Sequence, residues 1–334
     1  MEFGPVAVAN AQGAILAHSV GVDGGRIRKG CVLSGDDVAR LRAAGHERVT
    51  VARLGPGDIG ENDAALAVAR ALVPDPGAAG LRLSKPFTGR VNILADKVGV
   101  ARLDVPRLQA VNAVDAMITL ATVPQWQRMA VGGMVATVKV ISYGVSGACV
   151  DAAAKAGQGA VVLAPVALQT ASLIVTTHGA GPGEGKGLRA IRARLDALGV
   201  QLIETLEVPH DTDQVAGALS QAKGAIVLIL TASATSDIAD VAPAAVIGAQ
   251  GRITRFGMPV DPGNLLFYGD MADGRPVVGL PGCARSPALN GADWVLERLV
   301  CGVTPTPQDI ADMGVGGLLK EIPTRPQPRA GKGG

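Results

Sequence analysis

Aromatic side chains are almost missing from this chain: 334 residues include four Phe, two Tyr and two Trp. Bases would find few stacking platforms, which argues against a nucleic-acid partner. An excess of charge of one sign is missing too, with 31 basic residues against 29 acidic ones and a net charge of +2. Such a balance lacks the basic footprint that a phosphate backbone attracts. Cysteine is scarce and scattered at Cys31, Cys149, Cys283 and Cys301, with no Cys-x-x-Cys spacing. That pattern reads as reduced thiols in a cytosolic protein. Long apolar runs are absent although 48% of residues are hydrophobic. The longest, such as 225–230 and 161–164, fall far short of the roughly 20 residues a bilayer span needs. They suit buried parallel strands instead. The opening Met1-Glu2-Phe3-Gly4-Pro5 lacks the basic-then-apolar order of a signal peptide, and the reading predicts a cytoplasmic protein without a membrane partner.

What is present divides the chain into three folded parts and a tail. Residues 1–75 read as a small α+β lobe. It has a strand over 13–20, a turn at Gly24-Gly25, and a helix opened by a Ser34/Asp37 capping box and closed at Gly45. A strand at 49–52 and a helix over 62–72 follow, and Val73-Pro74-Asp75-Pro76-Gly77 has linker composition. Residues 79–168 read as a mixed α+β domain. Within it Lys85, Arg90 and Asn92 put two cations and an amide beside the Thr88-Gly89 turn, a candidate grip for an acidic ligand group. Residues 304–334 read as a tail.

Residues 170–303 are more regular. Strands at 172–176, 201–207 and 224–230 alternate with helices at 188–198 and 213–222. That alternation predicts an α/β domain, a mostly parallel sheet with helices on both faces. Ligands bind such sheets beyond the carboxyl ends of the strands. The loops after 176, 230 and 279 all belong to that edge. The first, 178–187, is rich in glycine but is no Walker loop, since Gly187 stands where Ser or Thr would ligate magnesium. It reads as a lid that could bring Lys186 to a phosphate, or as plain flexibility.

The third loop carries the most chemistry. Gly279-Leu280-Pro281-Gly282-Cys283-Ala284-Arg285-Ser286-Pro287 follows a β-type run and precedes a helix pattern carrying Leu289, Trp294, Val295, Leu296, Leu299 and Val300. A helix beginning there, with Ser286 as N-cap and Pro287 at its first position, would aim its positive end at an anion. Gly282 would let the backbone approach a ligand, and Arg285 could hold a phosphate in bidentate fashion. An ordinary turn with Arg285 in solvent fits the same letters.

Gly-Leu-Pro-Gly before a helix, preceded by Phe256-Gly257-Met258-Pro259-Val260-Asp261-Pro262-Gly263-Asn264-Leu265-Leu266, resembles the molybdopterin-binding domain of molybdenum-cofactor biosynthesis proteins. The wording is similar to a subgroup often fused to a nucleotidyltransferase. The resemblance implies a pterin ligand, molybdopterin or its nucleotide form, held by three loops, and a homo-oligomer that meets other molybdenum-cofactor proteins. Thr231, Ala232 and Ser233 would line the first loop, Pro259, Asp261, Gly263 and Asn264 the second, and Pro281, Gly282, Arg285 and Ser286 the third. Asp261 would pair with the amino-pyrimidine edge. Asp240 matches the family's terminal acid, which implies a catalytic role and a possible magnesium ion, with Asp237 beside it; both also suit helix capping. The chain lacks the acidic Ser-Ala-Met-Asp-Gly-type motif that molybdotransferases usually carry in the preceding lobe, and it departs from the family in two loops as well. Thr177-His178-Gly179-Ala180 stands for Thr-Gly-Asp-Glu, and Thr231-Ala232-Ser233 lacks the double glycine. The implied activity is nucleotidyl or molybdate transfer; the alternative is a non-catalytic carrier or regulatory module.

Overall fold

A computed structural model describes residues 1–179 and 185–319, except the side chain of Lys186. The anticipated role of Lys186 therefore lies outside the described residues. The described residues form two compact units: Met1–Lys97 with Ala101–Leu163, and Val98–Val100 with the described residues from Ala164 onward.

In the first unit, Arg48–Arg53 is the middle strand of a three-stranded sheet, flanked by Glu2–Ala7 and Ile15–Leu16. Leu16, Leu33, Leu41 and Val51 fill its core. The capping box at Ser34 and Asp37 is formed and opens the helix Gly35–Ala43. The strand expected over 13–20 is split into Ile15–Leu16 and Val20–Val22, the latter making a hairpin with Gly25–Ile27. A second core lies around the helix Glu61–Leu72. Its Ala64, Ala65, Val68, Ala69 and Leu72 pack with Val91, Ile93, Val138 and Val140 of an antiparallel four-stranded sheet. Although read as part of the segment before residue 75, this helix thus shares its core with strands beyond it. Arg90 is exposed at the start of the strand Arg90–Ala95, opposite Lys139.

The second unit is built on a six-stranded sheet. Its strands are β1 (Thr170–Thr177), β2 (Gln201–Pro209), β3 (Ile226–Leu230), β4 (Arg252–Phe256), β5 (Phe267–Asp270) and β6 (Pro276–Leu280), in the order β2-β1-β3-β6-β5-β4. β2, β1, β3 and β6 run parallel, and β5 is antiparallel to both its neighbours. Every residue of β3 is buried, as expected for a central strand covered on both faces. One face carries Val227 and Ile229 against α2 (Thr212–Gln221) and α3 (Val241–Gly248), through Val215, Leu219, Ala242 and Val246. The opposite face carries Leu230 against α1 (Gly185–Asp196), where a Cβ on Gly187 would sit 3.4 Å from the Leu230 side chain. The anticipated α/β class with a mostly parallel sheet holds at this level. β4 was not anticipated, and α3 runs through Pro243, which occupies its first turn and so interrupts no helical hydrogen bond. Two further helices, α4 (Gly291–Val300) and α5 (Pro307–Asp312), follow β6. Among the described residues no helix is long and apolar enough to cross a membrane. Cys301 is buried, and burial pushes its thiol up to about 12.

At the amino end of the sheet, Ser172 is buried and donates to Glu204 Oε1, which also accepts the Lys223 amide at 2.6 Å. The Ser172 hydroxyl first, and the Lys223 amide second, hold the Glu204 carboxyl below its usual value. A depressed folded-state pKa contributes stability that is present above the unfolded pKa and lost as pH falls through the folded value. Glu204→Gln is therefore expected to lower the urea midpoint at neutral pH and to flatten its decline toward about pH 3. Parallel midpoint-versus-pH curves for the two proteins would show that this contact contributes nothing.

Candidate functional site

The sheet places five chain segments at one edge. Val175 of β1 is paired with Leu230 of β3, and Leu230 with Leu280 of β6, so these strands end side by side. Phe256 pairs with Phe267 and Phe267 with Gly279, which brings the connection between β4 and β5 to the same edge. The segments following 177, 209, 230, 256 and 280 all leave from this rim.

Arg285 ties several of them together. Its aliphatic stem lies over α1, 3.1 Å from where a Gly187 Cβ would be. Its Nη2 donates to the Thr231 carbonyl at 3.0 Å. A guanidinium is thereby fixed where α1, the 231–240 segment and the 282–285 turn meet. Thr231 Oγ1 donates to the Ser233 carbonyl at 2.7 Å and lies 3.3 Å from Thr235 Oγ1. Thr231, Ala232 and Ser233 thus share one tight turn with the Arg285 contact, and Ser233 is exposed on it.

Two expectations about the third loop need correction. No α-helix begins at Ser286 and Pro287. A single 3₁₀ turn spans Gly282–Arg285, and α4 starts at Gly291 with Asn290 as its N-cap. The reason is local: Asn290 and Asp293 form a capping box, whereas Ser286 is held in extended backbone. The helix end offers no ready anion cradle, because Asn290 Oδ1 takes the Ala292 amide and the Asp293 carboxylate takes the Asn290 amide. Leu289, placed on the helix face by the sequence reading, is exposed ahead of the helix. Gly282 keeps its open character, for a Cβ there would meet nothing within 4 Å. Pro281 is buried at the foot of the turn.

Asp237 and Asp240 are engaged with the backbone. Asp240 Oδ1 accepts the Val241 amide at 2.7 Å and Oδ2 the Ser236 amide at 3.1 Å, so Asp240 is the N-cap of α3. Asp237 Oδ1 accepts the Ala239 amide at 2.7 Å. Among the described residues no group of three or more His, Cys, Asp or Glu could hold a metal ion. Asp240 thus caps α3, and Asp237 closes an Asx-type turn just before it.

The second loop is joined to the third through the start of α4. Gly291 donates its amide to the Pro262 carbonyl at 2.8 Å. A Cβ on Gly263, where φ is +146°, would lie 2.9 Å from Gly291 Cα. Glycine at 263 is what lets the two backbones touch, and glycine at 291 leaves room for the Met258 and Val260 side chains. Asn264 is exposed and its carbonyl accepts the Met258 amide at 3.0 Å, closing the loop. The backbone of Asp261 is bridged to the 317–319 segment, accepting from Leu319 and donating to Gly317. Pro259 is exposed. Arg90 belongs to the first unit.

Two side-chain groups at the rim escaped the sequence reading. Arg194 on α1 reaches the third loop and donates to the carbonyls of Ala284, Ser286 and Ala288 at 2.9, 2.9 and 3.0 Å, while pairing with Asp293. An arginine in a helix pattern carries no mark of such a role. His210, at the end of β2, lies between Thr176 and Ser233, 2.8 Å from each hydroxyl. Its place directly after a strand ending at the rim was the available signal.

Residues 5–53, a minor part of the chain, match a family described as a domain of unknown function (DUF8806). Among curated proteins none matches this chain. Solved structures resemble it, two of them from molybdenum-cofactor biosynthesis. One is the molybdopterin biosynthesis MoeA protein from Pyrococcus horikosii, with 13% identity and a TM-score of 0.32, covering 90% of this chain and 75% of that one. The other is a molybdenum cofactor biosynthesis protein from Pyrococcus furiosus, with 12% identity and a TM-score of 0.26, covering 91% and 65%. At such identities and scores the likeness carries no inference about this chain's chemistry.

Proposed function

We propose that the rim of the second unit binds molybdopterin or its nucleotide form, in molybdenum-cofactor biosynthesis. The reading is supported by the wording of the loops at 256–266 and 279–287, and above all by Arg285, a cation fixed where three segments of the rim meet. A planar guanidinium held in place is suited to a phosphate group. The turn 231–235 would supply hydroxyls, the open backbone at Gly282 a close approach, and Asp261 and Asn264 contacts to the pterin. Holding and handing over the cofactor, with other molybdenum-cofactor proteins as recipients, is favoured over nucleotidyl or molybdate transfer. The observation behind that preference is the engagement of both carboxylates with backbone amides, Asp240 as the N-cap of α3 and Asp237 in an Asx-type turn.

Calorimetric titration with molybdopterin tests the proposal. Arg285→Ala is expected to weaken binding about tenfold to a hundredfold, the range for losing hydrogen bonds to a charged group. Unchanged affinity in that variant would remove the phosphate role. Incubation with molybdopterin, ATP and magnesium is expected to leave the pterin unadenylated. Appearance of adenylated product would make the protein a transferase instead.

A further inference from the structure

Thr176, His210 and Ser233 form a chain of hydrogen bonds whose direction can be worked out. Thr176 is fully buried, and its Oγ1 accepts the Ala232 amide at 2.8 Å. A hydroxyl has one proton and two lone pairs. The other partner of Thr176 Oγ1 among the described residues is His210 Nδ1, at 2.8 Å. If Nδ1–H donated to that oxygen, both lone pairs would be filled and the buried hydroxyl proton would lack an acceptor, at the cost of desolvating it. Nothing buried is left over when Thr176 donates to Nδ1. His210 then carries its proton on Nε2 and donates to Ser233 Oγ, 2.8 Å away. With its oxygen engaged as acceptor, the exposed Ser233 directs its own proton elsewhere. His178, edge-on to His210 with ring centroids 4.8 Å apart, helps fix the imidazole plane.

We infer that His210 is a positioning residue which, locked by Thr176 in the Nε2–H form, sets Ser233 as a hydrogen-bond donor to a phosphate or phosphate-ester oxygen at the rim. The opposite direction, a proton passing from Ser233 to Nε2, would make Ser233 an activated nucleophile, and the hydrogen-bond count opposes it. An oxyanion is the ligand class because the same short turn holds Arg285 through the Thr231 carbonyl, two residues before Ser233. Chains of this kind polarise one another, so the terminal donor is stronger than a lone serine. The inference rests on the binding reading above and adds to it a residue outside the family's loops.

Two measurements on the full-length protein test it. Long-range proton–nitrogen spectra of the ligand-free protein, with the His210 signals assigned by their loss in His210→Gln, are expected to show protonated Nε2 and bare Nδ1. The reverse tautomer would overturn the inference. Titration with inorganic phosphate and with molybdopterin is expected to show affinity falling about tenfold in Ser233→Ala and His210→Ala. His210→Gln should recover most of the loss, since a carboxamide can accept from Thr176 and donate to Ser233. Wild-type affinity in a folded His210→Ala protein would sink the positioning role while leaving the pterin reading intact. If the unaltered protein bound neither ligand, the oxyanion assignment and the pterin reading would fall together, whatever the tautomer.

Discussion

Replacing Gly279 with alanine is expected to destabilise the second unit by roughly 3 kcal/mol, whereas the same change at Gly282, three residues on, leaves stability within about 0.5 kcal/mol. A Cβ on Gly279 would lie 1.9 Å from Phe267 Cε1 and 2.3 and 2.4 Å from two further ring atoms. The ring cannot swing aside cheaply. It is 1% exposed, stacks on Phe256 with centroids 6.4 Å apart, and sits in the core formed with α2 and α3. Gly279 and Phe267 are paired across β6 and β5, so the missing side chain on one strand is the space that the ring on the other fills. Gly282 has open space where a Cβ would go. Thermal unfolding should therefore show a midpoint lowered by roughly 10 °C for Gly279→Ala and hardly changed for Gly282→Ala. The ligand titration should show the converse ranking, with Gly282→Ala weakening pterin binding in an intact fold. Equal midpoints for the two variants would show that the ring tolerates the added methyl.

That contrast explains why the motif was readable only in part. In the letters, Gly279 and Gly282 belong to one Gly-Leu-Pro-Gly signal. In the fold the first serves packing between strands and the second leaves backbone open. Long-range packing of this sort depends on which strand lies opposite, and pairing of β5 with β6 is not written in either segment alone. The local signals were more legible. The Ser34/Asp37 box, the apolar face of Glu61–Leu72 and the alternation from β1 to β3 each act within a few residues of the chain, where propensity and periodicity decide. Glu2–Ala7 was not legible, because a strand of mixed burial containing Gly and Pro shows no period-two pattern.

At the rim, sequence reasoning named the segments better than the side chains. The start of α4 was placed too early because Ser286-Pro287 imitates a helix entry, while the real cap, Asn290 with Asp293, lies four residues later. Asp237 and Asp240 suited capping better than catalysis in the letters, and the structure places both carboxylates on backbone amides. His210 and Arg194 were missed for a common reason. Their partners are far off in sequence: Ser233 lies 23 residues from His210 and Asp293 lies 99 from Arg194.

Arg194 leads to the second large effect, since its removal should loosen the whole third loop. Its side chain and that of Asp293 are only 10% and 12% exposed. Asp293 serves two masters, taking Arg194 on Oδ1 and the Asn290 amide on Oδ2. Arg194→Ala would strand that carboxylate and leave the carbonyls of Ala284, Ser286 and Ala288 without their donor. Breaking a buried pair from one side costs about 3–5 kcal/mol, much of it the unpaired charge. Arg194→Lys should cost less but still more than 1 kcal/mol in order of magnitude, because a compact ammonium cannot reach three carbonyls and a carboxylate spread around a planar fork. Asp293→Ala combined with Arg194→Ala should fall short of the sum of the single losses, since the second change removes the charge that the first stranded. Amide exchange of residues 284–290 would rise in Arg194→Ala, and pterin affinity would fall with it, because Arg285 is carried on the loop that Arg194 clamps. A melting midpoint and exchange pattern unchanged from the parent would mean that the 3₁₀ turn and the capping box hold the loop by themselves, and the clamp would have no energetic weight.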